Sequence, residues 1–211
     1  MTAVSTDPSA GLRERKKQRT RDALVEAAFD LFRRKGFEAT TVDEIAEAVE
    51  LSPRTFFRYF ESKEDVALTL QDKQFSALYA AFATRPAHEP VITALRHATV
   101  AVIRGCEDGT GGVDPDRFSC VQQMMRESPA VYARSLELCT VRLAGLAAHV
   151  AARMGVDPAA DPRPTLVAAV ATTAVQTAMV AWRQAEPDTP PSVLADRALA
   201  LLEQGVNYPS A

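Results

Sequence analysis

The sequence predicts an all-α protein: an N-terminal helix-turn-helix module followed by a larger helical region. Apolar residues recur at helical spacing along most of the chain. Capping signals at Thr41, Ser52 and Ser62 open three helices in close succession. No alternating β-branched run is bounded by an Asn-Gly or Asp-Gly turn, so strand signals are absent.

The first helix shows in Leu24, Ala27, Ala28, Leu31 and Phe32, an i, i+3, i+4, i+7, i+8 stripe that Gly36 terminates. A basic run lies on its N-terminal extension, and residues 1–11, small and polar, are expected to be disordered. Thr41-Val42-Asp43-Glu44 is a capping box, and Val42, Ile45, Ala46 and Val49 then line one face of a short helix. Val49-Glu50-Leu51 forms the turn, where a glycine is usual. Ser52 caps a third helix with Pro53 at its first position, and that helix ends near Phe60. Ser62 opens a fourth, running to about Thr84 through Leu68, Phe75, Leu78, Tyr79 and Phe82. The spacing thus places a helix-turn-helix domain over 12–61 and a second helical domain over 62–211.

Within that second domain a helix is expected from His88 to Cys106, then the loop 107–112 and a short helix from Asp116 to Glu127. Ser128-Pro129 opens a long helix with Tyr132, Leu136, Cys139, Leu143, Leu146 and Val150 at 4-3-4-3-4 spacing, stopping at Gly155. Asp161-Pro162 opens the next, which ends before Pro187, and Ser192 to Val206 forms the last. No internal repeat indicates a solenoid.

Composition narrows the class. With 211 residues, 47% of them hydrophobic and 24% charged, the chain can bury a core and is neither collagen-like nor broadly disordered. Cys106, Cys120 and Cys139 have no metal-ligand spacing and fit a reducing cytoplasm. The N-terminus has no secretory apolar segment. The most apolar stretch, Thr165 to Trp182, is interrupted by Thr172, Thr173, Gln176 and Thr177, which reads as a buried helix rather than a membrane span. The expectation is therefore a cytoplasmic protein with no membrane partner.

Charge is segregated. Arg13, Arg15, Lys16, Lys17, Arg19 and Arg21 face only Glu14 within residues 12–21, whereas residues 64–211 carry 12 basic and 16 acidic residues. That pattern suggests a polyanion partner at one end, with a solvated basic tail as the competing reading. A recognition helix presents its N-terminal residues to base edges in the major groove, here Ser52, Pro53, Arg54 and Thr55. Arg54 can donate two bonds to guanine, and the Thr55 methyl can meet thymine. Thr41, Tyr59 and Lys63 carry donors suited to phosphates.

The stretch from Leu24 to Val66 (LVEAAFDLFRRKGFEATTVDEIAEAVELSPRTFFRYFESKEDV) strongly resembles the DNA-binding domain of the TetR family of bacterial one-component regulators. The resemblance implies phosphate contacts at Thr41, Phe57, Tyr59 and Lys63 and base contacts from Pro53 to Thr55. Phe57 departs from the family, in which many members have Tyr. A hydroxyl contact is lost there, and the adjacent Arg58 can compensate. The resemblance further implies nine helices and a homodimer built from the last two. The sequence agrees: the Thr165–Ala185 helix is apolar on more than one face, and Val193, Leu194, Ala198, Leu201 and Leu202 give the final helix a sticky face.

The second domain is similar, by pattern, to the acyl-CoA-like ligand-binding C-terminal domain of some TetR-type regulators, through Met124 to Pro129, Tyr132, Arg134 and Trp182. This implies a small-molecule effector in an apolar pocket. Phe75, Phe82, His97, Met124, Met125 and Trp182 are candidate lining residues, and Gln122 or Arg126 would orient a polar group. Ordinary core packing is the competing reading for each.

Catalytic and metal readings find no support. His88, His97 and His149 are isolated, and Gly109-Thr110-Gly111-Gly112 is not a phosphate loop. No cofactor is expected. The expectation is a ligand-responsive regulator, a repressor released from a palindromic double-stranded DNA operator by a small hydrophobic or acyl-type effector. Two alternatives stay open: a small-molecule-binding protein or enzyme that keeps the fold without specific DNA function, and an architectural DNA-binding protein. Residues 1–63 hold 12 basic against 11 acidic residues, which keeps the first alternative alive.

Overall fold

Capping chemistry sets where the N-terminal helices start. The computed structural model describes residues 8–185 and 189–206, with side chains from Arg13 onward. Among these residues every regular element is helical: α1 (Pro8–Lys35), α2 (Val42–Glu47), α3 (Pro53–Phe56), α4 (Lys63–Ala67), α5 (Thr69–Ala83), α6 (Val91–Asp108), α7 (Pro115–Glu127), α8 (Pro129–Met154), α9 (Arg163–Ala185) and α10 (Pro191–Gln204). The described residues hold ten helices where nine were expected. The predicted fourth helix breaks at Leu68, whose φ of −91° and ψ of 5° leave the helical region. Residues 8–11, expected to be disordered, are helical; residues 1–7 of that expectation lie outside the described residues.

The chain divides into two compact units, one ending at Thr69 and the other starting at Leu70. The sequence reading began its second domain at Ser62, so α4 falls in the N-terminal unit instead. The cause is packing: Val66 and Ala67 are fully buried and α4 lies on α1.

In the N-terminal unit, Leu24, Ala28, Phe29 and Phe32 of α1 meet a core completed by Ile45, Ala46, Phe56 and Phe60, all buried. Phe29 and Phe32 stack edge to face, with centroids 5.7 Å apart. The α2–α3 turn needs a left-handed residue, and Glu50 supplies it at φ 55°. A β-carbon makes that conformation costly, which is why glycine is the usual choice there.

In the C-terminal unit, α10 packs on α6 and α9, and α8 packs on α9. Phe82, Leu95, Leu146, Val150 and Leu199 form the center of its core, with small Ala94, Ala98, Ala168 and Ala171 between them. Arg96 of α6 holds α10 through a bidentate pair with Asp196 (2.7 and 2.8 Å) and a third bond to Glu203 at 2.7 Å. Glu107 accepts from the backbone N–H and hydroxyl of Ser192, fixing the start of α10. The glycine-rich segment after α6 folds back so closely that the Gly111 N–H bonds the Gly105 carbonyl at 2.9 Å. A β-carbon on either glycine would come within 3.1 Å of the other's backbone, so these glycines serve close chain approach.

Two helices, α8 and α9, are long and apolar enough to cross a membrane by length and composition. The Thr165–Trp182 stretch was read as a buried helix. Within one chain, however, α9 buries only Pro164, Ala168, Ala171 and Ala178 among the described residues. Leu166 is 62% exposed on its other side.

Candidate nucleic-acid interface and effector cavity

The recognition segment is built from two caps. Thr41 and Glu44 close a reciprocal box at α2: the Glu44 N–H donates to the Thr41 hydroxyl oxygen at 3.3 Å, and the Thr41 N–H donates to Glu44 Oε2 at 2.9 Å. The Thr41 hydroxyl proton also goes to Glu44 Oε2, at 2.8 Å. Glu44 is further held by Lys35. The Lys35 bond, then the bonds from the Thr41 backbone and side chain, lower the Glu44 pKa from 4.5 to about 2. At α3, Ser52 Oγ accepts from the Thr55 N–H at 3.2 Å and lies 2.9 Å from Thr55 Oγ1. Pro53 follows at the first helical position.

These caps leave Arg54 and Arg58 exposed, and neither side chain has a hydrogen-bond or ion-pair partner among the described residues. Phe57 stands beside them, 57% exposed and edge-on to the buried Phe56 at 5.5 Å. Tyr59 is half-buried. Two cations, one apolar ring and a phenol thus share the outer side of the segment from Pro53 to Tyr59. That set suits a polyanion with groove edges.

Three of the predicted DNA contacts have internal roles. Ser52 and Thr41 are caps. Lys63 donates to the carbonyls of Phe37 (2.9 Å), Thr40 (3.0 Å) and Glu38 (3.4 Å), and its ammonium lies 4.4 Å from the Phe37 ring centroid. Its three N–H donors are therefore directed at the α1–α2 turn, and a phosphate would have to share them.

The C-terminal unit holds a partly open cavity of about 180 Å³. Helix α5 contributes Gln71, Gln74, Phe75 and Leu78, at i, i+3, i+4 and i+7. Helix α9 contributes Ala171, Thr172, Val175, Gln176, Met179 and Arg183, again one helical face. Phe118, Gln122, Met125 and Tyr132 are among those closing it from α7 and α8.

Of the predicted lining residues, Phe75, Gln122 and Met125 stand on the wall. Phe82, Met124, His97, Arg126 and Trp182 do not. Phe82 lies one turn beyond Leu78 on the same stripe, where the core encloses it. Met124 points into packing about 100° around α7 from Met125. His97 is on the surface, with Nδ1 2.6 Å from Glu89 and 3.0 Å from Arg85. Glu89 is held down to about 2, first by its bonds from Arg85 and then by His97. Arg126 is exposed with Glu127 at 3.6 Å, and Trp182 is half-buried off the wall.

The sequence reading passed over Arg183, Gln71 and Gln74. Their signal lay in the polar interruptions of apolar helices at the spacing that also places Met179 and Leu78. Arg183 Nη1 donates to Gln122 Oε1 at 2.9 Å, and its guanidinium lies 5.7 Å from the Tyr132 ring centroid. Burial lowers its pKa.

Each half of the chain matches a family model. Residues 24–70 match the family model described as bacterial regulatory proteins, tetR family, and residues 89–207 match the MftR C-terminal domain. The HTH-type transcriptional regulator TcmR of Streptomyces glaucescens is 43% identical over 167 residues, 79% of this chain and 74% of that protein. Among solved structures, Thermus thermophilus FadR, a TetR family transcriptional repressor in complex with lauroyl-CoA, shares the fold. Its TM-score is 0.57 at 21% identity, covering 90% of this chain and 97% of that one. Bacillus subtilis FadR in complex with stearoyl-CoA has a TM-score of 0.53 at 15% identity, covering 88% and 98%. With a helix-turn-helix head capped at Thr41 and Ser52 and a C-terminal half of the MftR type, the chain belongs to the TetR family of DNA-binding transcriptional regulators.

Proposed function

We propose that this regulator acts in the cytoplasm as a homodimeric repressor, held on a palindromic operator by Arg54 and Thr55 and released when a small apolar effector fills the C-terminal cavity. The observation that carries the reading is the cavity wall: α5 starts at Thr69, the last residue of the DNA-binding unit, and its next three turns supply Gln71, Gln74, Phe75 and Leu78 to the cavity. An effector that displaces this wall acts on the helix by which the chain leaves the DNA-binding unit. For release, the effector must bind the two states unequally, and a coupling of about 1–3 kcal/mol is typical. The lauroyl and stearoyl chains carried by CoA in the two FadR complexes support an effector with an apolar portion.

Base readout falls to Arg54, which is exposed and unpaired among the described residues. Phosphate positioning falls to Arg58 and Tyr59, with Phe57 packing against sugar. Thr41 and Lys63 contribute by holding the turn that presents these groups. The test is selection of bound duplexes from a random pool with the wild-type protein and Arg54→Ala. One palindromic motif is expected, with a symmetric base pair blurred by the substitution and a loss of about 1–3 kcal/mol per Arg–guanine pair. Enrichment of no sequence at modest salt would overturn the reading.

A further inference from the structure

The arginines of the C-terminal unit mostly have carboxylate partners. Arg85 pairs with Glu89, Arg96 with Asp196 and Glu203, Arg142 with Asp72, and Arg163 with Asp161. Arg183 differs. It stands on the cavity wall, half-buried, with the Gln122 amide oxygen as its hydrogen-bond acceptor and no carboxylate partner among the described residues. A guanidinium has five N–H donors, and a neutral amide oxygen takes one of them here. Burying a cation without a counter-charge is costly, and the tyrosine face at 5.7 Å offsets only part of that cost.

Two further donors on the wall have poor acceptors. Gln71 receives a bond from Arg142 on Oε1 at 3.0 Å, which fixes the amide orientation and leaves Nε2 facing Met125 Sδ at 3.7 Å. Gln74 Nε2 donates to Cys106 Sγ at 3.4 Å. Thioether and thiol sulfurs are weak acceptors. The cavity therefore has apolar walls formed by Phe75, Phe118 and Val175, donor capacity to spare, and one positive charge without a negative partner among the described residues.

We infer that the effector is an organic anion, an apolar body bearing a carboxylate or similarly ionised oxygen that pairs with Arg183, while Gln71 and Gln74 serve its other oxygen atoms. The inference rests on the reading of this cavity as the effector site and adds the charge of what enters it. An ionised oxygen supplies a counter-charge at this half-buried guanidinium, where a charge-assisted, two-pronged bond to arginine is stronger than in water. A neutral molecule of the same shape leaves the guanidinium as it is.

The probe pair is 2-naphthoate and 2-acetylnaphthalene, which share shape and differ by an ionised oxygen in place of a methyl group. Binding to the full chain is followed by ligand fluorescence at pH 7, with thermal unfolding as the control for folding. Wild-type protein is expected to prefer naphthoate by tenfold or more. Arg183→Met is expected to bring the two affinities within twofold, and Arg183→Lys to retain a preference for the anion. Equal affinities in the wild type, or a preference unchanged by Arg183→Met, overturn the inference while leaving an apolar effector site intact. Binding of neither probe to the wild type also overturns it. The effector-site reading fails separately, if cavity-filling Thr172→Trp leaves the binding of both naphthalenes undiminished. Should Arg183→Met not fold, the Arg183→Lys arm and the wild-type ratio decide the matter.

Discussion

Single residues here owe their roles to which bonds they already make. Glu44 is the clearest case. Its carboxylate accepts from Lys35 and from the backbone and side chain of Thr41, and its pKa is drawn down from 4.5 to about 2. A carboxyl group lowered on folding stabilises the folded state above its unfolded pKa. That contribution is lost as pH falls from about 4.5 toward 2. The N-terminal unit is therefore expected to lose stability across that window. Glu44→Gln should be less stable than wild type at pH 7 and should show a shallower acid slope; chemical denaturation at pH 2 to 7 measures both. Because the group is exposed, added salt should weaken the effect. Lys63 illustrates the opposite lesson about reading a sequence. Its position within the family pattern suggests a phosphate contact, yet three main-chain carbonyls occupy its ammonium. Carbonyls carry no sequence signature, so no inspection of side chains could have found them.

At the scale of elements, the helix starts were legible because each rests on local chemistry. Thr41 with Glu44, Ser52 with Thr55 and Ser62 with Asp65 are pairs three residues apart, and all three cap as their spacing implies. The break at Leu68 was not legible, since Ser62 to Thr84 keeps a continuous apolar stripe and holds neither proline nor glycine. The cavity wall was only partly legible for a related reason. Periodicity marks the inward face of a helix but does not say whether core or empty space lies opposite, so Phe75 and Phe82 look alike in sequence. The α2–α3 turn offers a direct test of element energetics. Glu50 holds φ 55° where a β-carbon is unfavourable. Glu50→Gly is expected to raise the stability of the N-terminal unit by up to about 1 kcal/mol, read as a higher denaturation midpoint. Unchanged or lowered stability would show that Glu50 makes good its strain elsewhere.

For the whole molecule, the unpaired faces of α9 and α10 are the main consequence of the C-terminal architecture. Leu166 is 62% and Leu201 46% exposed, and Thr173, Thr177 and Ala181 continue the α9 surface without charge. In the proposed homodimer these faces bury one another across a two-fold axis. Leu166→Glu with Leu201→Glu should give monomers by sedimentation and abolish tight binding to a palindrome, since each half-site is then held alone. A dimer unchanged by both substitutions would move the interface elsewhere. The internal bonding of Lys63 has a consequence for the complex as well. Affinity for DNA falls with salt in proportion to the phosphates neutralised and the counterions released. Carbonyls direct the Lys63 ammonium but leave its charge whole, so a phosphate that reaches it must share an N–H with the turn, whereas Lys35 is neutralised by Glu44 and adds no net charge. Counting the basic residues of the head therefore overstates the salt dependence of the proposed complex, in which outward-facing cations such as Arg54 and Arg58 carry the slope.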